Sequence, residues 1–154
     1  LKPSQVLSSL NETFPMDEYY YMYFTMWYAV FNIKSKELKY ATAGHPAALL
    51  INGSETKALE TENMWVGGVP GIQFEDKKIT LEKDTDIYVF SDGAYEIEKK
   101  DGKMLTLSEF HQIVKSFSGS EPDEIDAIYK NILEISRAES LNDDFSLLKI
   151  SLKI

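Results

Sequence analysis

The chain has 154 residues, 44% of them hydrophobic with 8 Phe and 9 Tyr, which is the size and content expected of one domain with a substantial core. A formal net charge of −9 makes its surface repel phosphate backbones and argues against a nucleic-acid partner. Cys is absent, which excludes disulfides and thiolate metal sites, and with only 2 His any metal would be held mainly by oxygen, as Mg2+, Mn2+ or Ca2+.

The opening Leu1-Lys2-Pro3-Ser4 lacks the basic and apolar segments of a signal peptide, and without an initiator methionine it reads as the start of a cut or processed fragment. No apolar run approaches the ~20 residues that span a bilayer, so no membrane contact by this segment is expected. A cytoplasmic location is the expectation, with which the lack of Cys is compatible.

Val6, Leu7, Leu10 and Phe14 recur at about one helical turn after Pro3 and Ser4, and Pro15 with Met16-Asp17-Glu18 ends that helix. Residues 19–31 are dense in Tyr, Phe, Trp, Met and Val, which predicts a long strand buried on both faces. Asn32 through Lys36 reads as a hairpin turn, and Leu38, Tyr40 and Thr42 alternate along the return strand. Gly44-His45-Pro46 breaks that strand before another begins over Ala47–Ile51. Asn52-Gly53 is a two-residue hairpin signal for a type I′ turn. A glycine-rich loop over 65–71 follows, then strands over Lys78–Leu81 and Asp86–Phe90 and a turn at Lys100-Asp101-Gly102-Lys103. Apolar stripes predict helices over 106–117 and 121–138, the second with Ser120 as N-cap, separated by a polar linker over Ser116–Glu121. The alternation of Leu148, Ile150, Leu152 and Ile154 predicts a closing strand over Phe145–Ile154. Hairpin-linked strands with helices grouped late imply an α+β fold of one domain, with two packed sheets or one large one.

Two acidic spots stand at strand edges. Ser91-Asp92-Gly93 follows the apolar Ile87-Tyr88-Val89-Phe90, and Asn142-Asp143-Asp144 precedes the last strand. Taken singly, each is a polar turn or loop, since Asp and Gly favour such places. Taken together, they are two rigidly held carboxylates that could share a divalent ion if their strands are neighbours. An EF-hand over Asp84–Asp92 fails because Val89 stands where glycine is required, and no Walker loop is present. Ser91 has no His or Lys nearby in sequence to activate it as a nucleophile.

Several segments, in order, resemble one family. Tyr23-Phe24-Thr25-Met26-Trp27-Tyr28-Ala29-Val30 resembles its F-x-T-x-x-Y-A-V strand, with Tyr23 replacing the leading Phe. Tyr40-Ala41-Thr42-Ala43-Gly44-His45-Pro46 is similar to Y-x-x-A-G-H-P, and Val66-Gly67-Gly68-Val69 to P-L-G-V. Ser91-Asp92-Gly93-Ala94-Tyr95-Glu96 is similar to T-D-G-V-T-E, and Asp143-Asp144-Phe145-Ser146-Leu147 to D-D-I-T-L. These are marks of the SpoIIE/RsbU branch of the protein phosphatase 2C-like (PPM) family, and they cover nearly the whole chain.

The resemblance implies an antiparallel β-sandwich flanked by helices, here the C-terminal part of a single domain over 1–154. It implies dephosphorylation of phosphoserine or phosphothreonine on a phosphorylated regulatory protein, often an anti-anti-sigma factor, by a water activated by two Mg2+ or Mn2+ ions. An upstream sensor domain in the same polypeptide is implied as well. Asp92 and Asp143 match the family's metal-binding aspartates. Asp144 is expected beside the ligand, Glu96 as an anchor of the loop after Asp92, Gly93 and Gly44 as permissive backbone, and His45 as a residue that fixes a turn. The family's first two acidic motifs, G-D-x-x-D and D-x-x-G-H-G, have no counterpart in the sequence. The expectation is therefore an enzyme as parent protein and a chain that is inactive, or nearly so, alone. Two alternatives stay open: a regulatory or partner-binding module that kept the fold without the site, and a dimerisation module that pairs exposed sheet edges as a homodimer.

Overall fold

The computed structural model describes residues 2–120, 123–138, 141 and 143–154; Leu1, Glu121, Pro122 and Asn142 of the reading above lie outside them. In chain order the elements are α1 (Pro3–Thr13), β1 (Met26–Asn32), β2 (Glu37–Ala43), β3 (Ala48–Asn52), β4 (Glu55–Leu59), β5 (Lys77–Thr80), β6 (Thr85–Phe90), a 3-10 turn (Asp92–Ala94), α2 (Leu107–Phe117), α3 (Glu124–Ile135) and β7 (Leu147–Leu152). They form a three-stranded sheet in the order β1-β2-β5 and a four-stranded sheet in the order β4-β3-β6-β7, within an α+β fold. By its internal contacts the chain divides into two units.

The first unit comprises Leu1–Ala48, Ala58–Thr85 and Leu152–Ile154. Pro3 opens α1 where its missing N–H would have been unpaired anyway. β1 and β2 form the expected antiparallel hairpin, in register from Asn32↔Glu37 to Met26↔Ala43, and β5 adds antiparallel to β2. Leu7, Ala41, Ala43, Val66 and Phe74 form its core. The loop over 65–71 is held against α1: buried Asn11 accepts from the Gly67 N–H at 2.8 Å and donates to the Val69 carbonyl at 2.9 Å.

The long strand expected over 19–31 is corrected to Met26–Asn32, in which Met26–Phe31 are partly buried and Asn32 is exposed. Residues 15–22 fold on themselves, with Glu18 N–H donating to Pro15 O, Tyr21 N–H to Met16 O and Met22 N–H to Tyr19 O, so those groups are unavailable to a ladder. Tyr20 and Tyr21 adopt left-handed backbone (φ 55° and 60°) and are 91% and 75% exposed.

The second unit comprises Leu49–Lys57 and Asp86–Ser151. β3 pairs antiparallel with β6, Leu49↔Tyr88 to Ile51↔Asp86. The apolar stripes of α2 and α3 supply Phe110, Val114, Ile128 and Ile132 to a core that also contains Leu49, Ile51, Phe90, Ile97 and Leu105. Burying each of these large side chains stabilises by about 1.5–3 kcal/mol. The type I′ turn at Asn52-Gly53 is corrected: Asn52 remains in β3 and only Gly53 has positive φ, at 59°, with Ser54 completing the turn. α3 is shorter than expected and its N-cap is Asp123, not Ser120, whose hydroxyl instead donates to the Phe117 carbonyl that ends α2. β7 is also shorter than the 145–154 expected, because Phe145 and Ser146 belong to the approach to the site.

Candidate active site

The apolar strand β6 delivers Ser91 in extended conformation (φ −76°, ψ 164°) to the 3-10 turn Asp92–Ala94. In that turn the Asp92 carbonyl accepts from the Tyr95 and Glu96 N–H groups, both at 2.9 Å. The Asp92 carboxylate accepts from the Gly93 N–H at 3.0 Å. Tyr95 packs edge-on against Phe90 at 6.2 Å and tilted against Phe110 at 6.3 Å, which ties the turn to the core. Burial, and then the charges of Glu96 and Asp92, raise the Tyr95 pKa above its ordinary 10.0, so it is a neutral phenol at physiological pH.

The turn abuts the segment before β7. Ser91 N–H donates to the Ser146 carbonyl at 3.1 Å, Ser91 Oγ donates to the Asp144 carbonyl at 2.8 Å, and Ser146 N–H donates to Ser91 Oγ at 3.0 Å. Gly93 is pressed so closely that a Cβ there would lie 2.6 Å from the Asp144 oxygen and 3.3 Å from Asp143 Cβ. Asp143 Oδ1 in turn accepts from the Asp144 N–H at 2.7 Å. The exposed Asp92 and Asp143 therefore stand on two contacting backbone segments at the ends of adjacent strands. A cavity of about 310 Å3 opens beside them, lined among others by Gly93, Glu96, Ile97, Leu141 and Asp143.

Asp92, Gly93, Glu96, Asp143 and Asp144 thus all lie in the second unit. Glu96 is joined to Asp92 through its backbone N–H. Gly44 and His45 belong to the first unit. Gly44 has φ 67°, and a Cβ there would lie 3.1 Å from Trp65 Cβ. His45 Nδ1 donates to the neighbouring Pro46 carbonyl at 2.9 Å.

Two features escaped sequence reasoning. The sequence presents Ser91 only as a serine without an activating neighbour, whereas it joins the two acidic segments across a separation of more than fifty residues that no local pattern reveals. Arg137 also lines the cavity, paired with Glu98, and its one signal was that it is the only arginine in the chain.

The donor set is chemically right for a hard divalent cation, since carboxylates are its preferred ligands. It is also short: among the described residues no group of three or more His, Cys, Asp or Glu could hold a metal. Asp92 and Asp143 fit as part of a ligand shell that asks for about six oxygens.

The family model for Stage II sporulation protein E (SpoIIE) matches residues 1–153. Phosphoserine phosphatase RsbU of Bacillus subtilis (strain 168) is 27% identical over 157 residues, covering 100% of this chain and 46% of that protein. The SiaA-PP2C domain of Pseudomonas aeruginosa superposes with a TM-score of 0.84 at 13% identity, covering 99% of this chain and 61% of that one. The Mn-presoaked phosphatase domain of SpoIIE from Bacillus subtilis superposes with a TM-score of 0.70 at 17% identity, covering 97% of this chain and 64% of that one. The chain thus spans less than two thirds of the length of each of these relatives. Its sequence and its topology agree: it belongs to the SpoIIE family and has the fold of PP2C-like phosphatase domains.

Proposed function

We propose that the protein containing this chain hydrolyses phosphoserine or phosphothreonine on a regulatory protein of the anti-anti-sigma-factor kind, using Mg2+ or Mn2+. One observation carries the reading: the Asp92-Gly93 turn is pressed against Asp143-Asp144, which puts two carboxylates on touching segments at a strand edge. The relative named a phosphoserine phosphatase and the manganese-soaked neighbour support it.

In this reading Asp92 and Asp143 hold the cations, and two bound ions would neutralise phosphoryl oxygens and make a bound water acidic enough to attack at neutral pH. The protein's own contribution is positioning. Ser91 locks the two segments together, Gly93 permits their close approach, and the Asp144 and Glu96 backbones fix the loops on either side. Gly44 and His45 shape the loop after β2.

We place 1–154 in a single phosphatase domain, working with a sensor domain in the same polypeptide and inside the cell; among the described residues no helix is long and apolar enough to cross a membrane. Two carboxylates leave most of a shell of about six ligands to other residues or water, so the 154-residue chain alone is expected to turn over little substrate. The same shortage favours a second reading, a partner-binding or dimerising module with a phosphatase-like fold. Mn2+-dependent release of phosphate from a phosphoserine peptide by the full-length protein decides between them. Turnover lost in both Asp92→Asn and Asp143→Asn supports catalysis, and a wild type without turnover supports the module.

A further inference from the structure

Among the described residues, the cavity beside Asp143 is lined by three carboxylates, Glu96, Glu98 and Asp143, and one cation, Arg137. The backbone under Arg137 is fixed. After α3 ends, Lys100 N–H donates to the Ile135 carbonyl at 3.0 Å and Arg137 N–H donates to the Glu98 carbonyl at 2.8 Å, with Lys99 and Ser136 bridged antiparallel between them. Ser136 is buried beneath this staple. The Arg137 side chain is 66% exposed and gives Nη1 to the Glu98 carboxylate. Its Nε and Nη2 have no protein partner among the described residues.

A phosphorylated serine brings about two negative charges to a rim that already holds these carboxylates, and it needs a fixed counter-charge there. A guanidinium is suited to that task because its planar fork of donors matches phosphoryl oxygens two at a time. We infer that Arg137 grips the phosphoryl group of the substrate from the cavity wall, and that Glu98 is a positioning residue that holds the guanidinium at that wall. The inference rests on the phosphatase reading and names the residue by which that site recognises phosphate.

The test uses full-length protein with Mn2+, p-nitrophenyl phosphate as substrate and inorganic phosphate as inhibitor, with phosphate binding also followed by calorimetry. Arg137→Ala and Arg137→Gln are expected to raise KM for p-nitrophenyl phosphate and Kd for phosphate by about tenfold or more, with a much smaller change in kcat. Arg137→Lys recovers part of the loss, since it keeps the charge without the fork. Glu98→Gln raises both constants by about threefold, and Lys130→Ala, which removes an exposed cation outside the cavity, leaves them unchanged. The backbone staple does not depend on the side chain, so unfolding temperatures should match wild type.

The inference is overturned if folded Arg137→Ala and Arg137→Gln proteins keep wild-type KM and phosphate Kd. It is equally overturned if only a phosphopeptide KM rises while phosphate binding is unchanged, which would assign Arg137 to an acidic side chain flanking the phosphoserine. A wild type without any turnover would instead sink the phosphatase reading, and this inference with it.

Discussion

Gly93 is the residue on which the meeting of the two acidic segments depends. With Asp144 O only 2.6 Å from where a Cβ would sit, Gly93→Ala must push one backbone off the other. We expect it to destabilise by about 1–3 kcal/mol, as overpacking does, and to abolish metal-dependent turnover along with it. Denaturant midpoints and a phosphatase assay measure the two effects separately. His111 makes a different prediction. Its Nε2 is buried with no protein partner among the described residues, its ring lies edge-on to Phe90, and burial lowers its pKa from the ordinary 6.5. The unfolded chain then takes up a proton before the folded one does. Stability is therefore full above 6.5 and falls as pH drops toward the lower folded value. His111→Phe should flatten that part of the stability-versus-pH curve, and an unchanged slope would contradict the assignment. At this scale the sequence pointed to Asp92 and Asp143 as candidates because each adjoins an apolar strand. It hid the contacts that Ser91 and Arg137 make with distant segments.

The helices show how far local pattern reaches. Thr106 and Glu109 form a reciprocal capping box at the start of α2, and Lys99, ahead of the Thr106 backbone and hydroxyl, draws the Glu109 pKa down from 4.5 to about 2. Thr106→Ala should cost about 1 kcal/mol, read from thermal or denaturant unfolding. The contribution of the Glu109 charge is full above pH 4.5 and is lost as pH falls toward 2. The start of α3 is set by a network invisible to periodicity. Glu124, 1% exposed, accepts from the Tyr88 hydroxyl, from the Gly119 N–H at 2.9 Å and from Lys149 at 2.9 Å, while Lys149 also pairs with Asp86 at 3.3 Å. Burial and the Glu124 carboxylate push the Tyr88 pKa well up, so Tyr88 acts as donor. Because α3 is tied to β6 and β7 by these bonds, its cap falls at Asp123, where Ser120 was the obvious local choice. Glu124→Ala should destabilise by about 3 kcal/mol by leaving a largely buried lysine short of a counter-charge, whereas Glu124→Gln should cost less. The over-long reading of 19–31 fails for the opposite reason: aromatic density favours a strand, but turns over residues 15–22 had already engaged the backbone.

For the whole molecule, composition marks an acidic chain, the order of strands and helices gives an α+β fold, and the ordered motifs point to the family whose model matches it. What composition could not supply was the count of ligands, because a metal shell is a property of side chains converging in space and not of their number in the sequence. Asp92 and Asp143 are proposed to hold the catalytic cations together. The most direct test is Mn2+ titration of phosphatase activity in the full-length protein and in its Asp92→Asn and Asp143→Asn variants, each checked for native folding. The account predicts that each substitution lowers activity by at least about 100-fold and that excess Mn2+ recovers little of it. Folded variants retaining wild-type turnover and wild-type Mn2+ dependence would contradict it.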